Sequence, residues 1–349
     1  MRRVAQLMVV AVGMAAAAVP AAGQGVAREI RYSAADALSG FPDDVHLGEV
    51  AGVARTARGE IYVYTRTGNP AVTLGTSRYV ALASSRVFKF DPSGRFEREI
   101  GQGIYGALYA QQVRVSPDGD VWIVDRMSGQ VIRFDSQGRI RMVLSRKPET
   151  LRVPAPDAGP STRPAAEGES FRGPTDIAWD SEGNIYVADG IENSRIAKYD
   201  PSGRWITNLA GTRGSGPGEF DVIHGLQIDD QDNLYVADLN NRRIQVLDTN
   251  GRVIREMSGF GAPMAICITP GPDQVLYVSN SNPPDDLEVG GEIYKVGLDG
   301  TIHGRFGRVG KRIGMFGTVN AIDCREENDL LVGEVGNWRV QRVYLHPTD

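Results

Sequence analysis

The chain has 349 residues and a formal net charge of −5, from 38 Lys and Arg against 43 Asp and Glu. That balance argues against a nucleic-acid or anionic-membrane partner, because both are gathered by an excess of basic side chains. With only four histidines and two cysteines, the residue types that hold metals or form disulfides are scarce.

The N-terminus reads Met1-Arg-Arg, an apolar run from Val4 to Val19, then Pro20-Ala-Ala-Gly23. A basic start, an apolar stretch and small residues at the end describe a secretory signal over residues 1–23, cleaved after Gly23 or Ala27. No cysteine follows that would accept a lipid, and no later segment approaches the ~20 apolar residues of a membrane span. The expected mature protein is therefore soluble and exported, either periplasmic or secreted. Losing Arg2 and Arg3 takes its net charge from −5 to −7.

Next, Arg28-Glu-Ile-Arg-Tyr32 has the look of an outer strand with no preceding partners. Beyond it one pattern recurs: an alternating strand, an Asp/Gly turn, an aromatic-Val-x-Asp strand, an Arg-Ile-x-Lys-aromatic strand, and an Asp-x-x-Gly-Arg turn. Thr175–Asp189 continuing to Arg204, and His224–Asp238 continuing to Arg252, show it most clearly. The last turn places its glycine at Gly94, Gly138, Gly203, Gly251 and Gly300. Repeats of about 40–50 residues built only from strands are the signature of β-propeller blades. Six units are expected, over 45–100, 107–145, 172–210, 220–258, 261–306 and 316–346. The sixth lacks a fourth strand, which Arg28–Tyr32 is expected to supply, closing the ring. The fold class is all-β: one six-bladed propeller over 28–346, with four antiparallel strands per blade.

The turns after first and third strands are short and define a plain lower face. Longer connections, Arg66–Ser84, Ser145–Phe171 and Ser279–Gly291, share the upper face, where binding loops are expected. Residues 146–171 carry a Pro-, Ala- and Gly-rich stretch and read as a flexible insert. Inner strands start at the upper face, so Ala51, Gln111, Thr175, His224, Met264 and Asn320 should ring the channel mouth. Gln111, His224 and Asn320 come from alternate blades, about 120° apart, and so form a candidate site for one divalent metal. The alternative for His224 is a hydrogen-bonded channel histidine.

Asn193-Ser-Arg-Ile196, Asn241-Arg-Arg-Ile-Gln245 and Asn337-Trp-Arg-Val-Gln341 resemble NHL repeats. Gly52-Val53, Pro174-Thr-Asp176, Gly190 with Asn193-Ser-Arg195, and Gly214–Phe220 leading to His224-Gly225 resemble bacterial relatives of peptidyl-α-hydroxyglycine α-amidating lyase. The resemblance implies a channel zinc held by three histidines, at the positions of Gln111, His224 and Asn320. Only His224 keeps that residue type. The family's catalytic tyrosine falls at Ile191, one active-site arginine at Leu239, and the Asp beside the last histidine at Ala321. The other arginine is retained as Arg66. Metal, base and electrostatic groups are thus replaced together.

Other candidates have plainer readings. Asp125, Asp189, Asp238, Asn280 and Glu334 form one repeat column, expected to cap loops or pair with Arg195, Arg243 and Arg339. Tyr62, Trp122, Tyr186, Tyr235 and Tyr277 form a second column, expected to pack between sheets. Tyr79, Tyr105 and Tyr109 lie in upper connections and could line a surface. His46, His303 and His346 have no metal-ligand spacing. Cys267 and Cys324 should point to opposite faces of neighbouring blades, which favours buried free thiols over a disulfide. No phosphate loop or serine-nucleophile motif is present.

The reading is an exported, monomeric NHL-type propeller that binds a peptide, glycan or protein partner, with neither nucleic acid nor a membrane span. Its candidate ligand-binding residues are Arg66, Tyr109, Gln111, Thr175, His224, Met264 and Asn320, with Arg66 also the one catalytic candidate. The alternative is a divergent amidating-lyase-like metal-dependent lyase or hydrolase.

Overall fold

Blades one to four fold on the Asp-x-x-Gly-Arg turn between their third and fourth strands. In blade three, Asp200 Oδ1 accepts the backbone N–H groups of Ser202 (2.9 Å) and Arg204 (3.0 Å), and Gly203 takes the left-handed φ of 82° that the turn requires. The Ser202 hydroxyl and these backbone donors hold the Asp200 carboxyl down at about 2. The same carboxylate turn recurs at Asp91, Asp135 and Asp248; in blade five Gly297 takes that position and Asp299 accepts the Thr301 N–H instead. It reverses the chain so that consecutive strands pair.

The computed structural model describes residues 27–67, 72–74, 78–80, 85–145, 170–281 and 288–346. Among them, strands assemble into six four-stranded antiparallel sheets and one two-stranded hairpin. The six inner strands, Glu49–Arg55, Ala110–Val115, Asp176–Trp179, Ile223–Ile228, Pro263–Ile268 and Val319–Glu326, touch their neighbours all the way round, the last against the first. The protein is a six-bladed β-propeller. Tyr62, Trp122, Tyr186, Tyr235 and Tyr277 are all buried, each in the apolar layer shared with the following blade. Blades therefore stack like cards, and each layer of the core belongs to two of them.

Ring closure differs from the expectation in its register. The closing strand is Arg31–Asp36, not Arg28–Tyr32, and it pairs with Arg339–His346 from Arg31↔His346 to Asp36↔Gln341. Residues 28–30 go instead to blade five, through Ile30 N–H to Arg305 O and Arg305 N–H to Arg28 O, both 2.8 Å. Past the strand, Ser39 exchanges bonds with Gly94 and Phe96 of blade one, each 2.9 Å. One segment thus crosses three blades and covers three edges that would otherwise remain open. Gly94 has a steric reason to be glycine here: a Cβ would lie 1.9 Å from Ala37 O.

The long connection Arg66–Ser84 contains a short hairpin, Val72–Leu74 against Arg78–Val80, which the sequence did not announce. The Tyr79 side chain and residues 146–169 of the expected insert lie outside the described residues. Phe171, at the end of that insert, is already buried edge-on against Tyr199. Among the described residues no helix is long and apolar enough to cross a membrane.

Cys267 and Cys324 form a disulfide between the inner strands of blades five and six, overturning the expectation of free thiols. They do point to opposite faces, as the alternation requires. Because blades stack face to face, the forward face of one meets the backward face of the next. Both sulfurs accordingly sit in the same layer, with Tyr277 and Ile322.

Candidate functional site

Five inner strands carry a register irregularity near their upper ends, at Val50/Gly52, Ala110/Gln112, Ile223/Gly225, Pro263/Ile266 and Val319/Ala321. The residues omitted from pairing include Ala51, Gln111, His224, Met264 and Asn320. A β-bulge leaves one residue outside the ladder and re-aims its side chain. In blade three Thr175 stands just before the strand, and its hydroxyl bonds Ile223 O at 2.9 Å. Five of the six expected mouth positions thus sit in bulges, a reason the alternation alone did not supply.

Gln111 and His224 meet: Gln111 Nε2 is 3.2 Å from His224 Nε2, and His224 Nδ1 is 3.1 Å from Met264 O. A carbonyl can only accept, so Nδ1 carries the proton and Nε2 receives the Gln111 amide N–H. Asn320 does not reach the imidazole. Its Nδ2 donates to Ala51 O (2.6 Å) and Gln111 O (3.1 Å), tying three blades together. Burial, joined by the positive fields of Arg126 and Arg66, depresses His224 to about 4 against the favourable bond to Met264 O.

These donors do not make a zinc set. Structural and catalytic zinc takes imidazole, thiolate or carboxylate ligands; here a single imidazole has its lone pair occupied by an amide N–H. Among the described residues no three His, Cys, Asp or Glu side chains converge to hold a metal.

A different arrangement stands beside this floor. Arg66 donates from Nε to Ala110 O at 2.8 Å, pairs with Glu49 at 2.9 Å, and lays its guanidinium 3.8 Å from the centroid of the Tyr109 ring. Arg126 lies 5.8 Å from the same centroid and is exposed. Sequence reasoning missed Arg126, although the signal was present: Tyr62-x-x-x-Arg66 and Trp122-x-x-x-Arg126 occupy one repeat position in adjacent blades. Buried Asp125 fixes Tyr109 between them, accepting the N–H groups of Leu108, Tyr109 and Ser128 and the Tyr64 hydroxyl at 2.6–2.8 Å.

The rest of the Asp125 column is structural. Asp189 pairs with Arg195 at 3.0 Å, Asp238 with Arg243 at 2.9 Å and Glu334 with Arg339 at 2.7 Å. Asn280 accepts Ala262 N–H and donates to Glu292, both at 2.9 Å. Tyr105 is 84% exposed and available to a partner rather than to the channel.

Comparison with known proteins follows this geometry. Residues 171–277 match a family described as "6-bladed beta-propeller". Over 179 residues, 48% of this chain, it is 34% identical to the peptidylglycine alpha-amidating monooxygenase of Rattus norvegicus. Over 221 residues, 59% of this chain, it is 28% identical to a probable peptidyl-alpha-hydroxyglycine alpha-amidating lyase of Caenorhabditis elegans. The chain is similar to amidating lyases. The match spans 17% of the rat protein and 57% of the worm lyase. A streptogramin B lyase structure shares the fold at a TM-score of 0.56 and 13% identity, over 90% of this chain and 98% of that one. At the positions where the resemblance to amidating lyases implies a tyrosine and an arginine, Ile191 and Leu239 are half-buried apolar side chains.

The neutral His224 predicts a pH signature in the metal-free protein. Its folded value of about 4 lies below the ordinary 6.5, so its contribution is complete above about pH 6.5. It is lost as pH falls toward 4, because the unfolded chain takes up a proton that the folded chain refuses. The loss should be on the order of 3 kcal/mol. Melting curves between pH 7 and 4 should show it, and His224→Gln should flatten that dependence. An unchanged slope in the variant would count against this assignment.

Proposed function

We propose that this chain is an exported binding module whose upper channel mouth receives the carboxylate of a peptide partner. The observation that carries this reading is the Arg66–Tyr109–Arg126 stack beside the Gln111–His224 floor. Arg66 is held in place by Glu49 and Ala110 O, whereas the Arg126 guanidinium faces solvent. Arginine forks suit a carboxylate, which accepts two parallel N–H bonds. The exposed Tyr105 adds an aromatic contact on the approach. The disulfide supports an oxidising compartment, consistent with the secretory signal expected over residues 1–23.

The test is calorimetric titration of short peptides with free and amidated C-termini. Free-acid peptides should bind at least tenfold more tightly, and Arg126→Gln should remove most of that difference while leaving the melting temperature unchanged. Equal binding of both peptide forms would sink the proposal.

The similarity to amidating lyases, with Arg66 retained, favours a second reading as a divergent metal-dependent lyase or hydrolase. Elemental analysis of untagged protein separates the two. One tightly held divalent metal per chain, lost in His224→Ala, would support the enzyme.

A further inference from the structure

We propose that the loop 307–317, on the upper face where blade five passes into blade six, docks an acidic peptide segment of a partner protein. The loop has a counterpart in the same molecule, residues 211–221 between blades three and four, and both are built on the same bonds. Phe220 N–H reaches Thr212 O at 3.2 Å, and Phe316 N–H reaches Arg308 O at 2.9 Å. Gly214 N–H bonds Phe220 O at 3.2 Å, and Gly310 N–H bonds Phe316 O at 3.1 Å. Asn241 Nδ2 donates to Gly214 O at 2.8 Å, and Asn337 Nδ2 to Gly310 O at 2.9 Å. Gln245 Oε1 accepts Gly218 N–H at 2.9 Å, and Gln341 Oε1 accepts Gly314 N–H at 2.7 Å. Each anchor holds loop backbone, so the scaffold leaves open what charge the loop displays.

The charge is where the two copies part. Residues 211–221 hold Arg213, Glu219 and Asp221, a net of −1. They use these charges internally: Arg213 pairs with Asp221 at 2.5 Å, and Glu219 accepts Gly216 N–H at 2.9 Å. Residues 307–317 put Met315 and Gly317 in place of the two acids and carry Arg308, Lys311 and Arg312, a net of +3. All three cations are exposed, and among the described residues none of their side chains makes a hydrogen bond or ion pair. Like charges this close repel one another, and the counterpart loop shows that the fold does not need them. Beside them runs a groove of about 490 Å³ lined in part by Tyr32, Ala34, Ile313 and Met315, with Ile313 45% exposed. Glu29, the one carboxylate lining the groove, stands 3.6 Å from Arg305; that pair is neutral, and the loop keeps its excess. A segment bearing carboxylates and an apolar side chain satisfies both features. A sulfated glycan would meet the cations and leave Ile313 uncovered, and an anionic bilayer would repel a chain of net charge −5.

Fluorescence anisotropy of the mature chain tests this proposal, with a labelled peptide of glutamates and leucines amidated at its C-terminus. Amidation keeps the probe from the carboxylate site proposed at Arg66 and Arg126. The expected result is saturable binding that weakens at least tenfold between about 0.05 and about 0.5 M salt, as exposed charges are screened. Replacing the glutamates of the peptide by glutamines should abolish it. The triple variant Arg308→Thr, Lys311→Ser, Arg312→Gly gives the loop the residues of its counterpart. It should bind at least tenfold more weakly with an unchanged melting temperature. Ile313→Ser should weaken the leucine-bearing peptide at least threefold and leave a glutamate–serine peptide as it was. Absence of saturable binding at low salt would overturn the proposal, as would undiminished affinity in the folded triple variant. Dextran sulfate bound more tightly than the peptide, and lost in the same variant, would overturn it in favour of a sulfated glycan.

Discussion

Replacing Asp176 by Asn is expected to lower the melting temperature by roughly 6–10 °C, the largest single effect foreseen for this chain. Asp176 is fully buried inside the ring. Its Oδ1 accepts Arg114 Nε and Ile177 N–H, both at 2.9 Å; its Oδ2 accepts Arg114 Nη2 at 2.7 Å and Leu226 N–H at 2.9 Å. Four donors fill the four lone-pair sites of the carboxylate. Arg114 Nη2 also lies 3.3 Å from Ile266 O, so one ion pair joins blades two, three, four and five beneath the channel mouth. Removing the charge leaves a buried guanidinium uncompensated, at a cost of about 3–5 kcal/mol. For a domain this large, each kcal/mol shifts the midpoint by about 2 °C. The double replacement Arg114→Met with Asp176→Leu should recover part of the loss, because no charge remains buried. Recovery should be incomplete, since Ile177 and Leu226 N–H would still lack acceptors. Calorimetry on the two singles and the double gives the coupling, and additive losses would refute the pairing as described.

What the sequence disclosed and what it withheld separate along physical lines. The aromatic column and the Asp-x-x-Gly-Arg turns repeat in most blades, so each copy corroborates the others, and the six units match the six sheets. The convergence of Gln111 with His224 followed from counting blades around the ring. Asn320 bonds to backbone instead, because its bulge sets it beside Ala51 O and Gln111 O, and no repeat alignment carries that information. Arg126 was legible but overlooked: it stands in the same repeat position as Arg66 and Leu239, just after Asp125, and only Arg66 and Leu239 were read there. The closing strand was displaced because its register depends on edges from three different blades. Cys267 and Cys324 were assigned correct faces and the wrong consequence, since facing directions were judged within each sheet rather than across the stack.

Cleaving that same Cys267–Cys324 bond should destabilise the protein by about 4 kcal/mol, the entropy released when a closed loop of this length is opened in the unfolded chain. The two residues are 57 apart and join the inner strands of blades five and six. Blade six is assembled from both ends of the described chain, so it depends on the closing segment to stay in the ring. The disulfide adds a covalent hold on the inner side of the blade that the closing strand holds only from outside. Cys267 also borders a cavity of about 420 Å³ at the lower end of the channel, lined in part by Arg55, Arg114 and Asp323. Melting in the presence of a phosphine reductant, with reduction verified by mass spectrometry, should fall by roughly 8 °C. The double replacement of both cysteines by Ala should start lower and show no response to reductant. A melt unchanged after verified reduction would mean that the closing segment alone secures blade six. The predicted fall would make full stability conditional on an oxidising compartment.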